Sequence, residues 1–354
     1  MIKNINSLVR KNILELTPYS SARSLNLYGI LLDANENPYC NMDVTERGIN
    51  INRYPDPSHT KMRKQLSKYL SINSENIVFG SGSDELIDLI IRIFCEPGKD
   101  NIIIPKPTYG MYEVSAKINN VEVKYFDLTE EFQIAEYNFN NEIDENSKIL
   151  FLCSPNNPTG DLLNKDSVTN IIKSFNGIVV IDEAYIDFCN IENSFFNEIN
   201  SCNNIIILRT FSKAWGMAGL RLGYAIASKE IIDFILNVKL PYNIGAVVTD
   251  LFFKVMNKED VKRKNINSII SERDRLYKEL IEIKEIKKVY HSDANYILFQ
   301  PDNHIELFSY LIENGVVIRD RSSQIKNSLR VSVGTLEENN MFLTKLRKFY
   351  EIKD

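Results

Sequence analysis

The sequence predicts an α/β fold in which a mostly parallel, seven-stranded sheet flanked by helices is followed by a smaller α+β unit. Short runs rich in β-branched residues alternate with helical patterns from about residue 77 to residue 227. These runs are apolar on both faces, which is typical of a parallel sheet covered by helices on each side. Past Pro241 the pattern changes to long charged helices and a few short strands, which predicts the smaller unit.

The large sheet is predicted from seven apolar runs. They occupy residues 77–79, 101–104, 121–126, 148–153, 178–181, 204–208 and 223–227. Between the first two, apolar residues from Leu86 to Phe94 recur at helical spacing, which predicts a covering helix. Sheets of this kind bind ligands outside the carboxyl ends of their strands, so the residues that follow each run are the first candidates for a site.

The small unit is predicted from residue 250 onward. The expected elements are charged helices over 250–284, short strands at 287–291, 296–300, 316–319 and 329–333, and a closing helix over 336–350. The first ~40 residues fit neither pattern. We therefore expect an arm over residues 1–45, a large domain over 46–244 and a small C-terminal domain over 245–354.

The composition argues against several classes of function. A net charge of −5 gives no electrostatic support for nucleic-acid binding, and every apolar run is far shorter than a membrane span. With three histidines and no paired His spacing, we expect no metal site. Five scattered cysteines and an N-terminus without a signal-peptide core predict a reduced, cytoplasmic location.

The segment after the first strand is a candidate phosphate cup. Gly80, Gly82, Ser83 and Asp84 join this strand to the predicted helix. Small residues leave backbone amides accessible, and a helix N-terminus carries partial positive charge, which suits a phosphate. A tight turn capped by Asp84 would explain the same residues. A dinucleotide fingerprint is not favoured, because Glu85 stands where its third glycine would be.

Polar residues also follow the fourth and fifth strands. Asn157 lies in the segment 154–160, which two prolines make rigid, and its amide can donate a hydrogen bond to a ligand oxygen. Asp182 and Tyr185 follow the fifth strand, and a carboxylate at the end of an apolar run needs a cationic or protonated partner. A rigid turn and a structural salt bridge are the alternatives for these two segments.

Hydroxyls, a lysine and an arginine follow the sixth strand. Thr210, Ser212 and Arg221 can donate hydrogen bonds to a phosphate. Lys213 is flanked by aromatic residues at the predicted edge of the sheet, so its amine could be desolvated enough to act as a neutral nucleophile. Most lysines lie on solvated faces, which is the alternative for Lys213.

The combination of these segments predicts a cofactor. A phosphate cup, an asparagine, an Asp–Tyr pair and a lysine follow separate strands of one sheet. Together they supply what pyridoxal 5′-phosphate needs: a lysine for the aldehyde, an acid for the ring nitrogen, and donors for the ring oxygen and the phosphate. Tyr109, in the segment 107–110, could in addition stack on the ring face.

The same residues carry a family resemblance that extends over nearly the whole chain. The segments 154–160, 182–185 and 212–213 resemble motifs of the fold-type I pyridoxal-phosphate aminotransferases. Narrower motifs, similar to those of the histidinol-phosphate aminotransferase family, lie at 33–38, 53–55, 107–112 and 317–320. The resemblance implies the fold-type I architecture and a homodimer, with an N-terminal arm that packs on the small domain and on the partner subunit.

The resemblance also implies a role for each matching residue. Lys213 would bind the cofactor covalently and move the proton during catalysis, assisted by Asp182 and Tyr185. The cofactor ring would be held by Asp182, Tyr185, Asn157 and Tyr109. The cofactor phosphate would be held by Ser83, Asp84, Thr210, Ser212 and Arg221. Tyr54 would reach that phosphate from the partner subunit. The anionic end of the substrate would be bound by Tyr19, Asn35, Arg319 and Arg330.

The implied activity is amino transfer between L-histidinol phosphate and 2-oxoglutarate, a step of histidine biosynthesis. Two arginines suit these substrates, because a guanidinium can bind a carboxylate or a phosphate and a second one strengthens the hold on a doubly charged phosphate. A threonine-phosphate decarboxylase and a broad aromatic aminotransferase are alternatives with the same cofactor. A nicotinamide dehydrogenase and a non-catalytic ligand sensor fit less well, since the chain has both Lys213 and Asp182.

Overall fold

The computed structural model describes residues 3–15 and 51–353, and the strands of these residues form two sheets. The larger sheet has seven strands, which confirms the expected number. They are β1 (Ile77–Gly80), β2 (Asn101–Lys106), β3 (Glu122–Asp127), β4 (Ser147–Cys153), β5 (Ile178–Asp182), β6 (Ile205–Thr210) and β7 (Gly223–Ala227).

The large sheet is mostly parallel, as predicted. Its spatial order is β1-β7-β6-β5-β4-β2-β3, and β7 alone runs antiparallel to its neighbours. Because β1 and β6 are each antiparallel to β7, they point in the same direction. The carboxyl ends of β1, β2, β4, β5 and β6 therefore meet at one edge, which is where such sheets bind ligands.

Helices cover both faces of this sheet. They are α1 (Lys11–Leu14), α2 (Thr60–Leu70), α3 (Ser83–Phe94), α4 (Met111–Ile118), α5 (Glu136–Glu142), α6 (Lys165–Ser174) and α7 (Lys229–Val238). Strand residues alternate between two buried clusters, with Ile103 and Leu150 in one and Ile102 and Ile149 in the other. Each fully buried side chain of this size contributes about 1.5–3 kcal/mol, so the sheet is a rigid platform for the residues at its edge.

The small sheet is antiparallel, in the order β10-β11-β9-β8. Its strands are β8 (Ile286–Val289), β9 (Tyr296–Pro301), β10 (Arg319–Asp320) and β11 (Leu329–Ser332). The helices of this part of the chain are α8 (Ala246–Met256), α9 (Glu259–Ile281), α10 (His304–Glu313) and α11 (Leu336–Lys353). None of the helices in the described ranges is both long enough and apolar enough to span a membrane.

The prediction of a strand over 316–319 is wrong apart from its last residue, because β10 contains only Arg319–Asp320. Gly315 adopts a φ of +79° at the end of α10, and the N–H of Val316 donates to the carbonyl of Leu311. Val317 is 81% exposed. These β-branched residues therefore close a helix instead of joining the sheet.

The small sheet contacts the carboxyl edge of the large one. The Asp293 N–H donates to the carbonyl of Gly160 at 2.8 Å, and the Tyr296 hydroxyl donates to the carbonyl of Asn156 at 2.6 Å. The segment that carries Asn157 is thus held from both sheets. The division into 1–45, 46–244 and 245–354 stays a prediction, and most of the first segment lies outside the described residues.

Candidate active site

A cavity of about 270 Å³ lies at the carboxyl edge of the large sheet, on the side that faces the small sheet. Its lining residues are Ser83, Asp84, Tyr109, Cys153, Asn157, Asp182, Ala184, Tyr185, Thr210, Ser212, Lys213, Ala218, Arg221, Arg321 and Arg330. Candidates from separate strand ends therefore meet in one place. A larger depression of about 720 Å³ lies beside α2. Half of its lining residues are serine or asparagine, and among the described lining residues only Lys68 is charged.

The predicted phosphate cup forms the amino end of α3. Gly82 has a φ of +79°, a left-handed conformation that lets the chain turn from β1 into the helix at Ser83. Gly223 opens β7 directly against this turn, because a Cβ at this position would lie 2.5 Å from the Ser83 backbone nitrogen. The amino end of this 12-residue helix, with Ser83 and Asp84 in the pocket wall, favours an anion through its N–H groups and its dipole.

Arg221 and Thr210 line the pocket beside this helix end. Arg221 adopts a φ of +50°, which costs an arginine on the order of 1 kcal/mol and is typical of functional sites. Its Nη2 lies 3.3 Å from Asp84 Oδ2. The Thr210 hydroxyl oxygen accepts the N–H of Ser212 at 3.0 Å. The pocket thus has a guanidinium and the hydroxyl groups of Ser83, Thr210 and Ser212 on its phosphate side.

Asp182 ends β5 as a buried carboxylate. Its Oδ1 accepts the N–H of Ala184 at 3.0 Å, and its Oδ2 accepts the hydroxyl of Tyr112 at 2.9 Å. Burial raises the pKa of Asp182 to about 6, and the two hydrogen bonds oppose this rise. No cation lies within salt-bridge distance of Asp182 in the described part of the chain. The carboxylate is therefore available to a protonated nitrogen of a ligand.

The neighbouring acid, Glu183, forms an ion pair with Arg209, unlike Asp182. Its carboxylate is fully buried and accepts hydrogen bonds from Arg209 Nη2 at 2.8 Å and Nε at 3.0 Å. It also accepts the N–H of Phe195 at 2.7 Å. This pair ties the end of β5 to β6 and leaves Asp182 as the unpaired acid at the pocket. The structural salt bridge that was an alternative for this segment is made by Glu183.

Lys213 follows β6 at the mouth of the pocket. Its side chain keeps contact with solvent, and its Nζ lies 5.4 Å from the centre of the Tyr185 ring. The pKa of Lys213 is lowered from its ordinary value, first by partial desolvation and then by the charge of Arg330, while Asp182 opposes the change. A lowered pKa increases the fraction of neutral amine, which a nucleophile or a base requires.

Asn157, Tyr185 and Arg330, which all line the pocket, are connected by hydrogen bonds. Asn157 Nδ2 donates to the Tyr185 hydroxyl at 3.3 Å, and Arg330 Nη1 donates to Asn157 Oδ1. Arg330 also lies over the Tyr296 ring, 4.8 Å from its centre. Burial raises the pKa of Tyr185, so its hydroxyl stays protonated. Arg330 lies on β11, so the small sheet contributes a residue to the pocket.

A third arginine, Arg321, lines the pocket and was not predicted. It lies just after β10, and its Nε is buried without a hydrogen-bond partner among the described residues. Burial lowers the pKa of Arg321 to about 10, with further lowering by Arg330 and Arg319. Arg319, which was predicted to bind substrate, is exposed in β10 and does not line the cavity.

Of the remaining predicted residues, the structure describes only Tyr54. Tyr54 is 50% exposed and stacks on Tyr242, with ring centres 4.4 Å apart. It does not line the pocket of its own chain. Tyr19 and Asn35 lie outside the described residues. Their predicted roles, and that of Tyr54, stay predictions.

Comparisons with known proteins agree with this arrangement. Residues 29–346 match the family model of aminotransferase class I and II. The chain is 43% identical over 353 residues to a histidinol-phosphate aminotransferase of Cytophaga hutchinsonii, covering 99% of this chain and 100% of the relative. It is 42% identical over 351 residues to one of Parabacteroides distasonis, covering 98% and 99%. The crystal structure of the histidinol-phosphate aminotransferase from Clostridium acetobutylicum is similar with a TM-score of 0.80 and 28% identity, covering 88% of this chain and 94% of that one.

Proposed function

We propose a function for this chain from the premise that it belongs to the class I and II aminotransferase family. The proposed reaction is amino transfer from L-histidinol phosphate to 2-oxoglutarate, which gives imidazole-acetol phosphate and L-glutamate. Relatives that carry this activity in their names match at 42–43% identity along almost their whole length. The observation in the structure that carries the proposal is the cavity that Lys213, the buried Asp182 and three arginines line together.

The residues of this cavity fit pyridoxal 5′-phosphate, the cofactor of the family. Asp182 is hydrogen-bonded by two neutral donors, so it can pair with a protonated ring nitrogen. The amino end of α3 and Arg221 suit the phosphate group. Lys213 supplies an amine of lowered pKa for the aldehyde. The donors, the acid and the amine thus match the groups of the cofactor.

Four pocket residues have a task in the proposed reaction. When bound, the cofactor supplies a protonated ring that withdraws electrons from the substrate carbon. Lys213 Nζ would take the proton from that carbon and deliver it to the carbon that receives the amino group, and a base held in place can save up to about 7–11 kcal/mol of the barrier. Asp182 keeps the proton on the ring nitrogen. Asn157 and Tyr185 are placed to hydrogen-bond the ring oxygen.

The charge of the cavity supports a second anionic ligand. Its charged lining residues are Lys213, Arg221, Arg321, Arg330, Asp84 and Asp182. Arg221 already pairs with Asp84, which leaves Arg321 and Arg330 as guanidinium groups without a carboxylate partner among the described residues. Two guanidinium groups suit the doubly charged phosphate of the donor and also the carboxylates of the acceptor.

A substrate panel tests the proposed reaction. The purified protein, supplied with pyridoxal phosphate and 2-oxoglutarate, is incubated separately with L-histidinol phosphate, L-phenylalanine and L-threonine phosphate. Glutamate is expected mainly with histidinol phosphate, and no carbon dioxide is expected with threonine phosphate. Preferential glutamate formation from phenylalanine would indicate a broad aromatic aminotransferase, and carbon dioxide release would indicate a decarboxylase. Either result would overturn the proposal.

Replacing Arg321 with glutamine is expected to raise KM for histidinol phosphate by about 10- to 100-fold, because losing a charged hydrogen-bond donor costs about 1.5–3 kcal/mol. The KM for 2-oxoglutarate should rise less, since a carboxylate carries a smaller charge than a phosphate. Steady-state kinetics with both substrates measure the difference. Arg319→Gln is the matched control, since Arg319 is exposed only two residues away. A larger effect at Arg319 than at Arg321 would assign substrate binding to Arg319, as the sequence predicts.

The proposed active form is a homodimer in which Tyr54 reaches the cofactor phosphate of the partner subunit. Tyr54 is half-exposed and lies outside the cavity of its own chain, which supports a role in another site. It stacks on Tyr242, close in sequence to the exposed apolar residues Leu240 and Val247, which are 72% and 44% exposed. Large exposed apolar side chains close in sequence to an aromatic pair suit a subunit interface.

Subunit mixing tests this proposal. Lys213→Ala and Tyr54→Ala are each expected to be nearly inactive as homodimers. After unfolding and refolding together, half of the dimers should be mixed, and each mixed dimer should have one complete site. Activity should therefore recover to about a quarter of the wild-type value. No recovery in a sample whose dimers exchange subunits would show that Tyr54 acts within its own chain.

We also propose that the protein works in the cytoplasm. Cys95, Cys153 and Cys202 are buried as free thiols, and Cys189 is a free thiol that is partly exposed. Burial raises the pKa of the Cys189 thiol to about 12, so the reactive thiolate is scarce. Free thiols of this kind suit a reducing compartment.

A further inference from the structure

Tyr112 contacts the acid of the site without lining the cavity itself. It is fully buried in the first turn of α4, and its hydroxyl donates to Asp182 Oδ2 at 2.9 Å. The residues that line the cavity include Asp182 but not Tyr112. Any effect of Tyr112 on a ligand must therefore pass through Asp182.

The Tyr112 ring is held by aromatic packing on two sides. It stacks on Phe151 of β4, with ring centres 4.8 Å apart and planes at 11°. It also meets the edge of Tyr109, with centres 5.5 Å apart and planes at 84°. A ring fixed in this way points its hydroxyl in one direction. Together with the Ala184 N–H on Oδ1, it fixes the orientation of the Asp182 carboxylate.

The hydrogen bond also acts on the charge of Asp182. Burial raises the pKa of Asp182 to about 6, and the Tyr112 hydroxyl is the main group that opposes this rise. The pKa of Tyr112 is itself raised well above its ordinary value, first by burial and then by Asp182, so the hydroxyl keeps its proton and donates it. The titratable groups that face Asp182 are Asp84, Tyr109, Tyr112, Cys153, Tyr185 and Lys213.

We propose that Tyr112 is a positioning residue that keeps the Asp182 carboxylate charged and aimed into the cavity, and that it thereby sets how tightly this chain holds the ring nitrogen of pyridoxal phosphate. The proposal rests on the proposed function, because it needs that cofactor in the cavity. Tyr112 is 70 residues away from Asp182 along the chain, and the contact depends on the stacking of the Tyr112 ring on Phe151 of β4.

Tyr112→Phe removes the hydroxyl and keeps the packed ring. The full-length protein is stripped of cofactor and titrated with pyridoxal phosphate at several pH values, and the quenching of Trp215, the one tryptophan of the chain, reports binding two residues from Lys213. The dissociation constant should rise about tenfold near pH 7.5, as expected for one lost hydrogen bond to a charged group. On acidification the affinity should start to fall at a higher pH than in the wild type, because Asp182 without this donor takes up its proton at a higher pH.

Tyr350→Phe is the matched control. Tyr350 is also a buried tyrosine, and its hydroxyl on α11 donates to the carbonyl of Asp302, just after β9, at 3.2 Å; neither residue lines the cavity. It should lose stability as Tyr112→Phe does, while its cofactor affinity and the pH dependence of that affinity stay at the wild-type values. A role of Tyr112 in stability alone would make the two variants behave alike, which would overturn the proposal.

A double-mutant cycle gives a second measurement. In an Asp182→Asn background, Tyr112→Phe should have no further effect on the pH dependence of cofactor binding. The variant no longer has the carboxylate charge that the Tyr112 hydroxyl stabilises. An equal effect in both backgrounds would overturn the proposal for Tyr112 and leave the proposed function intact. A wild-type protein that takes up no pyridoxal phosphate at any pH would overturn both.

Discussion

Lys213→Ala is expected to lower kcat by about 10⁴-fold or more, with the fold and the melting temperature retained. The amine of Lys213 lies at the pocket mouth, and its lowered pKa suits a base that takes and returns a proton. Proton transfer by a positioned group contributes typically about 10²–10⁴-fold, and this lysine is also the attachment point proposed for the cofactor. Steady-state kinetics with histidinol phosphate and 2-oxoglutarate measure the loss.

Three experiments separate a loss of the base from a general loss of structure. Lys229→Ala removes an exposed lysine that pairs with Asp233 on α7, and it should keep wild-type turnover. Methylamine added to Lys213→Ala should restore part of the activity, since a small amine can enter the space left by the side chain. Borohydride reduction followed by peptide mapping should label Lys213 in the wild type. Normal turnover by Lys213→Ala would show that another group moves the proton.

Much of the candidate site was predictable because its residues follow short, strongly apolar strands. Asn157, Asp182 and Thr210 lie at or just after the ends of β4, β5 and β6, and these strands are parallel. Parallel strands bring their carboxyl ends to one edge, so residues far apart in sequence had to meet there. The cavity lined by all three confirms that they do.

The direction of β7 and the end of β10 were not predictable in the same way. The run 223–227 is apolar on both faces whether it is parallel or antiparallel, and only its pairing with β1 and β6 distinguishes the two. Val316 and Val317 have high strand propensity, yet they close α10 because Gly315 permits a left-handed turn. The strand propensity of a residue does not tell which residues surround it in the folded structure, and these surroundings decide both cases.

Arg321 and Tyr112 escaped prediction because their surroundings come from other parts of the chain. The sequence marks Tyr112 only as part of the motif at 107–112, and nothing in that motif shows that its hydroxyl meets Asp182. Arg319 and Arg321 are two residues apart, and the path of the chain between β10 and β11 decides which of them lines the cavity. The Arg-Asp-Arg segment at 319–321 was the available signal, since it offers two guanidinium groups on one side of an extended chain.

Asp182→Asn is expected to lower kcat by about 10²–10³-fold, the range seen when one electrostatic contact to the reacting system is removed. Asparagine has nearly the same shape, can accept the Ala184 N–H and can donate to the Tyr112 oxygen, so the lost feature is the charge.

In the wild type, cofactor affinity should fall as the pH drops through about 6, because the Asp182 carboxylate takes up a proton there. This dependence should be absent in the variant. Cofactor titrations between pH 5 and about 8 compare the two proteins.

Asp161→Asn is the matched control, because burial raises the pKa of Asp161 to about 6 as well and its side chain does not line the cavity. It should leave kcat and the pH dependence of cofactor binding unchanged.

Stability distinguishes a functional charge at Asp182 from a structural one. An aspartate has a pKa of about 3.9 in an unfolded chain, so between about pH 4 and 6 the folded cofactor-free protein binds a proton that the unfolded chain releases. The contribution of Asp182 to stability therefore falls as the pH rises through this range. Cofactor-free Asp182→Asn should consequently melt at a temperature no lower than the wild type at pH values above about 7. A clearly lower melting temperature would mean that the charge of Asp182 stabilises the fold, and the loss of kcat would then have a structural cause.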